Sequence, residues 1–248
     1  MRLTVLGCAG TFPQAHSACS GYLVEHDGYR LVVDLGHGAL SGLDRLGGLK
    51  NVDAVLVSHL HADHCIDLIG FSYARRFHPE GPLAPLPVYG PRGLQDRIVR
   101  SFNQPPRDSL DQVYDFHTTS AGGLELGPLS IELHETAHPI ECHAMRITAG
   151  GRTLTYSADT AASDNVVKAA RNADLFLCEA SWLHGPKRPA NVHMTAVEAG
   201  EHATRADAAR LLLTHTVGYG ERQLFVEQAS QTYSGDVALA ESAATYDV

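Results

Sequence analysis

The chain has 248 residues, of which 44% are hydrophobic and 19% charged, with a formal net charge of −9. This composition excludes a disordered or fibrous protein and suits one large domain, which we place at 1–248. The sequence contains no run of about 18 apolar residues, so we expect no membrane span. The first residues indicate a strand rather than a signal peptide, and we therefore expect a cytoplasmic protein. The absence of a basic stripe in the sequence disfavours nucleic acid as a partner.

The cysteines are five in number, scattered and without a CxxC pair, which argues against a disulfide framework and against a structural thiolate zinc site. The histidine count of 15 is high for this length and is the compositional feature that needs an explanation.

Apolar runs bounded by Gly, Asn or Asp predict the strands, and two long runs predict hairpins that turn at Asp27-Gly28 and at Gly150-Gly151. In chain order the strands are expected at 2–8, 20–36, 53–59, 86–91, 129–138, 142–159, 174–180, 209–215 and 236–242. Helical patterns occupy about 38–48, 64–76, 92–102, 163–171, 194–206 and 220–231, with Asp63 and Thr195 as N-cap or first-turn residues. The proline-rich stretch 77–120 is expected to be a looser connection that could serve as a lid.

Three segments share one plan, in which a polar start and a short apolar run end at a chemically active residue. They are 51–59, 172–180 and 206–215. Each half of the chain also contains one of the predicted hairpins. The pattern predicts two similar layers that meet at one edge.

The stretch 59–64, "HLHADH", crowds three histidines and an aspartate onto one bend directly after an apolar run. Four desolvated polar groups would be costly there without a bound ion or a full set of partners. Imidazole and carboxylate suit divalent ions such as Zn²⁺, Mn²⁺ or Fe²⁺, and two ions could share one carboxylate. His138, Asp159 and His215 follow other predicted strands; taken singly, the two histidines could be structural and the aspartate a turn residue.

The segment "SHLHADH" resembles the signature of the metallo-β-lactamase superfamily. Other segments resemble its ribonuclease Z-like phosphodiesterase branch: "LGCAGTFP", "VVDLG", "HPIEC", "YSADT" and "CEASW" followed by "NVHMTAVEAG". The resemblance spans nearly the whole chain. It implies an α/β (α+β) fold, an αββα four-layer sandwich of two mixed β-sheets packed face to face with helices outside.

The resemblance also implies a metal-dependent hydrolase with two divalent ions, zinc being favoured over manganese or iron. One ion would be held by His59, His61 and His138, the other by Asp63, His64 and His215, with Asp159 bridging them.

Further roles follow from the same resemblance. His193 would face the scissile phosphate and protonate the leaving oxygen, and Glu179 would orient it. Asp63 is counted among the catalytic residues as well as the ligands, and Asp34 would lie beneath the metal loop.

Substrate-binding residues stay unassigned. Arg75, Arg76, Lys187 and Arg188 could meet phosphate or be surface charges, and Phe71, Tyr73, Trp182 and Tyr219 could stack on a base or pack in the core.

In ribonuclease Z a long arm that grips tRNA lies between the residues matching His138 and Asp159, whereas here the interval is only long enough for a hairpin. tRNA 3′ processing is therefore disfavoured, and a small-molecule phosphodiester is the expected partner, (cyclic) nucleotides such as cyclic AMP first. A carbonyl-substrate hydrolase (lactonase or thioesterase) on the same centre is the alternative, and a non-catalytic metal scaffold is a third. By resemblance, a homodimer is also expected.

Overall fold

The first of two β-sheets has seven strands in the order β14-β1-β2-β3-β4-β5-β6, within a computed structural model that describes residues 1–102, 108–185, 191–218 and 221–248. The strands are β1 (Arg2–Gly7), β2 (Gly21–His26), β3 (Tyr29–Leu35), β4 (Ala54–Leu56), β5 (Leu86–Gly90), β6 (Tyr114–Thr118) and β14 (Thr245–Asp247). Pairing is antiparallel from β14 to β3 and parallel from β3 to β6.

The second sheet repeats this plan with seven strands in the order β13-β12-β11-β10-β9-β8-β7. They are β7 (Gly122–Leu126), β8 (Leu129–Glu135), β9 (His143–Ala149), β10 (Arg152–Tyr156), β11 (Leu175–Glu179), β12 (Arg210–Thr214) and β13 (Asp236–Leu239). Antiparallel pairing runs from β7 to β10 and parallel pairing from β10 to β13. In each sheet a hairpin therefore leads into parallel strands, which confirms the predicted pair of similar layers.

The two sheets pack face to face over a dry core that includes Leu3, Val33, Ile131, Ile147 and Leu177, all 1% exposed or less. The outer face of the first sheet is covered by α1 (Ala39–Arg45), α2 (Ala62–Cys65), α3 (Leu68–Arg76) and α4 (Leu94–Ser101), and a second apolar cluster fills that layer. The second sheet is covered by α6 (Asp164–Ala169), α7 (Ala196–Ala206) and α8 (Arg222–Ala229). The expected αββα sandwich of two mixed sheets is thereby confirmed.

The sequence-based expectation for 77–120 was wrong in part, since this stretch supplies β5, α4, the short helix α5 (Asp108–Asp111) and edge strand β6. The pattern also missed β7 and β14, because β7 begins with two glycines and β14 has only three residues. The predicted helix 64–76 is divided into α2 and α3. The Asp67 N–H donates to the Leu35 carbonyl instead of continuing the helix, which ties the bend to β3.

The parallel strands β4, β10, β11 and β12 end at one edge of the sandwich, and the loops that follow them meet there. Close packing at this edge requires glycine at position 36, because a Cβ on Gly36 would lie 1.8 Å from the Asp63 carbonyl oxygen. None of the described helices combines the length and the apolar character needed to cross a membrane.

Helix α7 begins at a complete capping box. The Thr195 side chain accepts a hydrogen bond from the Glu198 N–H, and the Glu198 carboxylate accepts one from the Thr195 N–H. We expect Thr195→Ala to lower the free energy of unfolding by about 1 kcal/mol, measured by urea denaturation. Ser163→Ala is the matched control, since Ser163 occupies the N-cap of α6 without a side-chain cap bond. An equal loss in both variants would contradict this assignment.

Candidate metal centre

Four side chains form what we call the first ligand group: His59, His61, His138 and Asp159, whose ligand atoms all lie within 4.8 Å of one another. The Nδ1 atom of His61 lies 3.0 Å from His59 Nε2 and 3.2 Å from His138 Nε2. Asp159 Oδ2 lies 3.6 Å from His59 Nε2. His61 therefore presents Nδ1 to the group, whereas its two neighbours present Nε2.

The second ligand group consists of Asp63, His64, His215 and the same Asp159, again with all ligand atoms within 4.8 Å of one another. His215 Nε2 lies 3.3 Å from His64 Nε2 and 3.3 Å from Asp63 Oδ2. Asp159 faces this group through Oδ1, which is 3.2 Å from His64 Nε2 and 3.4 Å from His215 Nε2. One carboxylate thus belongs to both groups, with one oxygen turned to each.

The spacing of the ligand atoms in both groups suits coordination of a divalent cation. Ligands that bind a tetrahedral zinc at about 2.0–2.1 Å lie about 3.3 Å apart, and the shortest separations within the two groups are 3.0 Å and 3.2 Å. Asp159 is 2% exposed, and its Oδ1 atom accepts no hydrogen bond among the described residues. A buried carboxylate oxygen without a donor is costly, and a shared cation would satisfy it.

In the first ligand group the protonation states favour the same interpretation. Burial lowers the pKa of His59, His61 and His138, which leaves these imidazoles in the neutral form that coordinates a cation. Burial alone would raise the pKa of Asp159, but the neighbouring His215 and His64 outweigh it and hold that pKa well below its usual range. The shared carboxylate is therefore ionised.

The backbone that carries these residues is held in an unusual conformation at several points. Asp34, Ala158 and His215 have φ values of 53°, 51° and 55°, in the left-handed region that costs energy for residues other than glycine. At Ala158 this turn comes directly before Asp159, and at His215 it comes directly after β12. Such strain at strand ends turns the ligand side chains toward one point.

Asp34 lies beneath the bend that carries the first histidines and is fully buried. Its Oδ1 accepts a hydrogen bond from the Ser58 N–H at 2.7 Å, and its Oδ2 accepts one from the Tyr156 hydroxyl at 2.9 Å. The same Oδ2 lies 2.8 Å from His64 Nδ1, which directs His64 Nε2 to the second ligand group. Asp34 thus supports the bend from below, and no sequence pattern pointed to Tyr156, which reaches it from the other sheet.

The structure also brings Glu179 and His193 together. Glu179 ends β11 and is fully buried, and its Oε1 lies 3.0 Å from His193 Nδ1 and accepts a hydrogen bond from the Thr160 N–H. Burial opposes a charge on His193, but the Glu179 carboxylate outweighs it and raises the pKa of His193 to about 9. His193 Nδ1 is 3.9 Å from Asp159 Oδ2, so the pair borders both ligand groups.

Glu179, His193 and His215 form a third set of close potential ligand atoms. Glu179 and His193 already bond to each other in this set, and the Nε2 atom of His215 faces the second ligand group. The set is therefore explained without a further ion.

The basic and aromatic residues whose roles the sequence left open differ in burial and in their distance from the ligand groups. Arg75 is 5% exposed and donates to the Ala84 carbonyl, and Phe71 is fully buried, so both are structural. Tyr73 of α3 is 50% exposed and stacks on Phe77, which directly follows that helix. Of the three aromatic residues in this set that the structure describes, Trp182 is the one beside the candidate centre, with its ring 6.4 Å from that of His193. Lys187, Arg188 and Tyr219 lie outside the described residues.

The αββα fold, together with the two ligand groups at the edge of its sheets, is typical of a metal-dependent hydrolase. Comparison with known proteins supports this class. A sequence profile described as "Beta-lactamase superfamily domain" matches residues 16–216. The chain therefore belongs to the β-lactamase superfamily and is a metallo-hydrolase of that superfamily.

Similar proteins cover nearly the whole chain. An uncharacterized protein of Mycobacterium leprae is 39% identical over 100% of this chain and 89% of its own length. The Bacillus subtilis protein named "Probable metallo-hydrolase YhfI" is 34% identical over 98% of both chains. The crystal structure of YhfI superposes with a TM-score of 0.87 at 32% identity, covering 99% of each chain.

More distant similarity extends to ribonuclease Z and to other solved structures. Ribonuclease Z of Halorubrum lacusprofundi is 28% identical over 87% of this chain and 86% of its own. A diphosphatase of the PhnP family (TM-score 0.74, 18% identity, 100% and 97% covered) and yeast PDE1 (TM-score 0.76, 12% identity, 98% of each covered) share the fold.

The shared carboxylate leads to a prediction about metal content. We expect Asp159→Ala to lose both ions, because it removes a ligand from each group, whereas His138→Ala and Asp63→Ala should each lose one. Metal per chain is measured by elemental analysis after loading with Zn²⁺ and removal of free metal. Retention of one tightly bound ion by Asp159→Ala would show that the carboxylate does not serve both groups.

Proposed function

We propose that the chain is a two-metal phosphodiesterase for small substrates, with (cyclic) nucleotide phosphodiesters such as 3′,5′-cyclic AMP as the first choice. In this proposal each ligand group holds one divalent ion, zinc in preference to manganese or iron, and Asp159 bridges them. The observation that carries the proposal is the Glu179–His193 pair at the border of the two ligand groups.

Two divalent ions, when bound, would polarise the phosphodiester and acidify a water enough to make it nucleophilic near neutral pH. The leaving oxygen then needs a proton. Glu179 engages His193 through Nδ1, so Nε2 is the nitrogen that can deliver a proton to the substrate. The His193 side chain is 12% exposed while Glu179 is fully buried, an arrangement that suits an acid reaching the substrate from a fixed support.

The connection between the two ligand groups supports a small substrate. Strands β9 and β10 form a hairpin that occupies the chain between His138 and Asp159 and lies within the second sheet, paired on both sides. No projecting arm can be accommodated in this interval. Together with the net charge of −9, this disfavours a grip on tRNA.

The named relatives point to phosphate-ester chemistry more than to carbonyl chemistry. Ribonuclease Z is similar in sequence, and a PhnP-family diphosphatase and yeast PDE1 share the fold.

A substrate panel tests the chemistry. We expect the Zn²⁺- or Mn²⁺-loaded protein to hydrolyse 3′,5′-cyclic AMP and bis-p-nitrophenyl phosphate, and Asp63→Ala to lose both activities. Turnover of the synthetic diester alone would keep phosphodiester chemistry and remove cyclic AMP as the substrate. Turnover of phenyl esters or lactones with neither diester cleaved would contradict the proposal in favour of a carbonyl hydrolase.

His193→Ala tests the acid separately. The loss of a general acid costs about 100-fold to 10,000-fold, so kcat on a diester should fall in that range while both ions are retained. His117→Ala is the matched control: His117 also pairs with a carboxylate, Asp115 at 2.9 Å, but on β6. Metal loss in His193→Ala would instead identify His193 as a ligand.

A further inference from the structure

We propose that Ser58 and Ser181 are twin positioning residues, each of which fixes the tautomer of one ligand histidine in one ligand group. Ser58 would act on His59 in the first group, and Ser181 on His215 in the second. The inference rests on the two-metal assignment of the proposed function. It concerns two serines that lie within the quoted motifs but to which the sequence assigned no role.

Each serine forms a hydrogen-bond relay, which we define as a chain of contacts from a carboxylate through the serine hydroxyl to a ligand histidine. The first relay starts from Asp34 on β3. The Ser58 hydroxyl is fully buried and donates its single proton to Asp34 Oδ2 at 2.8 Å. The same hydroxyl oxygen lies 3.0 Å from His59 Nδ1. Because that proton is directed to Asp34, Ser58 has none left for His59, and Nδ1 must be the donor. The His59 proton is thereby held on Nδ1, and Nε2 keeps the lone pair that faces the first ligand group.

The second relay starts from Glu179 on β11 and has the same logic. The Ser181 hydroxyl has two acceptors, Glu179 Oε2 at 2.9 Å and the His215 carbonyl oxygen at 3.2 Å. Ser181 donates its single proton to one of these two oxygens and has none left for a third partner. The hydroxyl oxygen lies 2.9 Å from His215 Nδ1, which must therefore donate to it. His215 Nε2 is left unprotonated toward the second ligand group.

The carboxylates of the two relays differ in their second histidine contact. Asp34 also lies against His64, a ligand of the second group. Glu179 also holds His193, so through Ser181 one carboxylate orients both a metal ligand and the proposed general acid. Loss of either hydroxyl would let the histidine adopt the other tautomer, in which an Nε2 proton opposes the cation.

Removing a hydroxyl leaves its carboxylate supported. Without the Ser58 hydroxyl, Asp34 still accepts from the Ser58 N–H and from Tyr156. Without the Ser181 hydroxyl, Glu179 still accepts from the Thr160 N–H and lies against His193. The expected defect is therefore local to the histidine and its ion.

The test uses the full-length apo protein titrated with Zn²⁺ against a chromophoric chelator, which yields a dissociation constant for each ion. Partners that orient a metal ligand are worth about 10-fold to 100-fold in metal affinity. We expect Ser58→Ala to weaken one ion by that factor and Ser181→Ala to weaken the other. Co²⁺ absorption identifies the site: the one-ion spectrum of Ser181→Ala should match that of Asp63→Ala, and the spectrum of Ser58→Ala that of His138→Ala.

Ser157→Ala is the matched control. The Ser157 hydroxyl is equally buried, accepts from the Glu179 N–H and donates to the Ala158 carbonyl, and it has no hydrogen bond to any histidine within the described ranges. Both dissociation constants should be unchanged in this variant. Thermal melting of the apo variants separates a folding defect from a metal defect, because the proposal expects apo melting like that of the wild type.

The outcomes separate this inference from the proposed function. If the wild type binds two ions and both serine variants bind them equally well, or lose both together, the inference is overturned while the two-metal site stands. If the wild type does not bind two ions, the proposed function is overturned and the inference with it.

Discussion

The carboxylate of Asp159 is the feature on which the rest of this structure depends. It is buried between two sets of imidazole and carboxylate donors, with Oδ2 turned to one set and Oδ1 to the other. Its Oδ1 atom has no hydrogen-bond donor among the described residues. An ionised oxygen in this position is tolerated only if positive charge is close by, and two cations would supply that charge on both sides.

The fold serves this carboxylate by repeating one construction. Each sheet runs from a hairpin into parallel strands, and the carboxyl ends of those strands reach the same edge. The first sheet delivers the 59–64 bend after β4, and the second delivers Asp159 after β10 and His215 after β12. The apolar core between the sheets holds their two edges side by side. Ligand residues that are far apart in sequence therefore lie close together at this edge.

Much of this was predictable, because the strongest signals in the sequence are local. Alternating and continuous apolar runs indicated most strands, both hairpin turns had glycine where the chain needs it, and the 59–64 bend had too many polar groups to be a packing element. The single residues His138, Asp159 and His215 were ambiguous by themselves. Their roles depended on the family resemblance, and the structure then places each beside the bend.

Other features were out of reach for physical reasons. Edge strands such as β7 and β14 are short or glycine-rich, so their pairing depends on neighbours that the local sequence does not show. Tyr156 reaches Asp34 across the sandwich, and Ser181 contacts His215 from another loop. Serine and tyrosine are common in ordinary strands and loops. Only their distances to carboxylates and ring nitrogens reveal a function.

The measurement that tests the central claim most directly is anomalous X-ray diffraction at the zinc edge from crystals of the Zn²⁺-loaded protein. We predict two anomalous peaks that flank the Asp159 carboxylate, one contacted by His59 Nε2, His61 Nδ1 and His138 Nε2. The other should be contacted by Asp63, His64 Nε2 and His215 Nε2. A single peak, or two peaks of which only one contacts Asp159, would contradict the account.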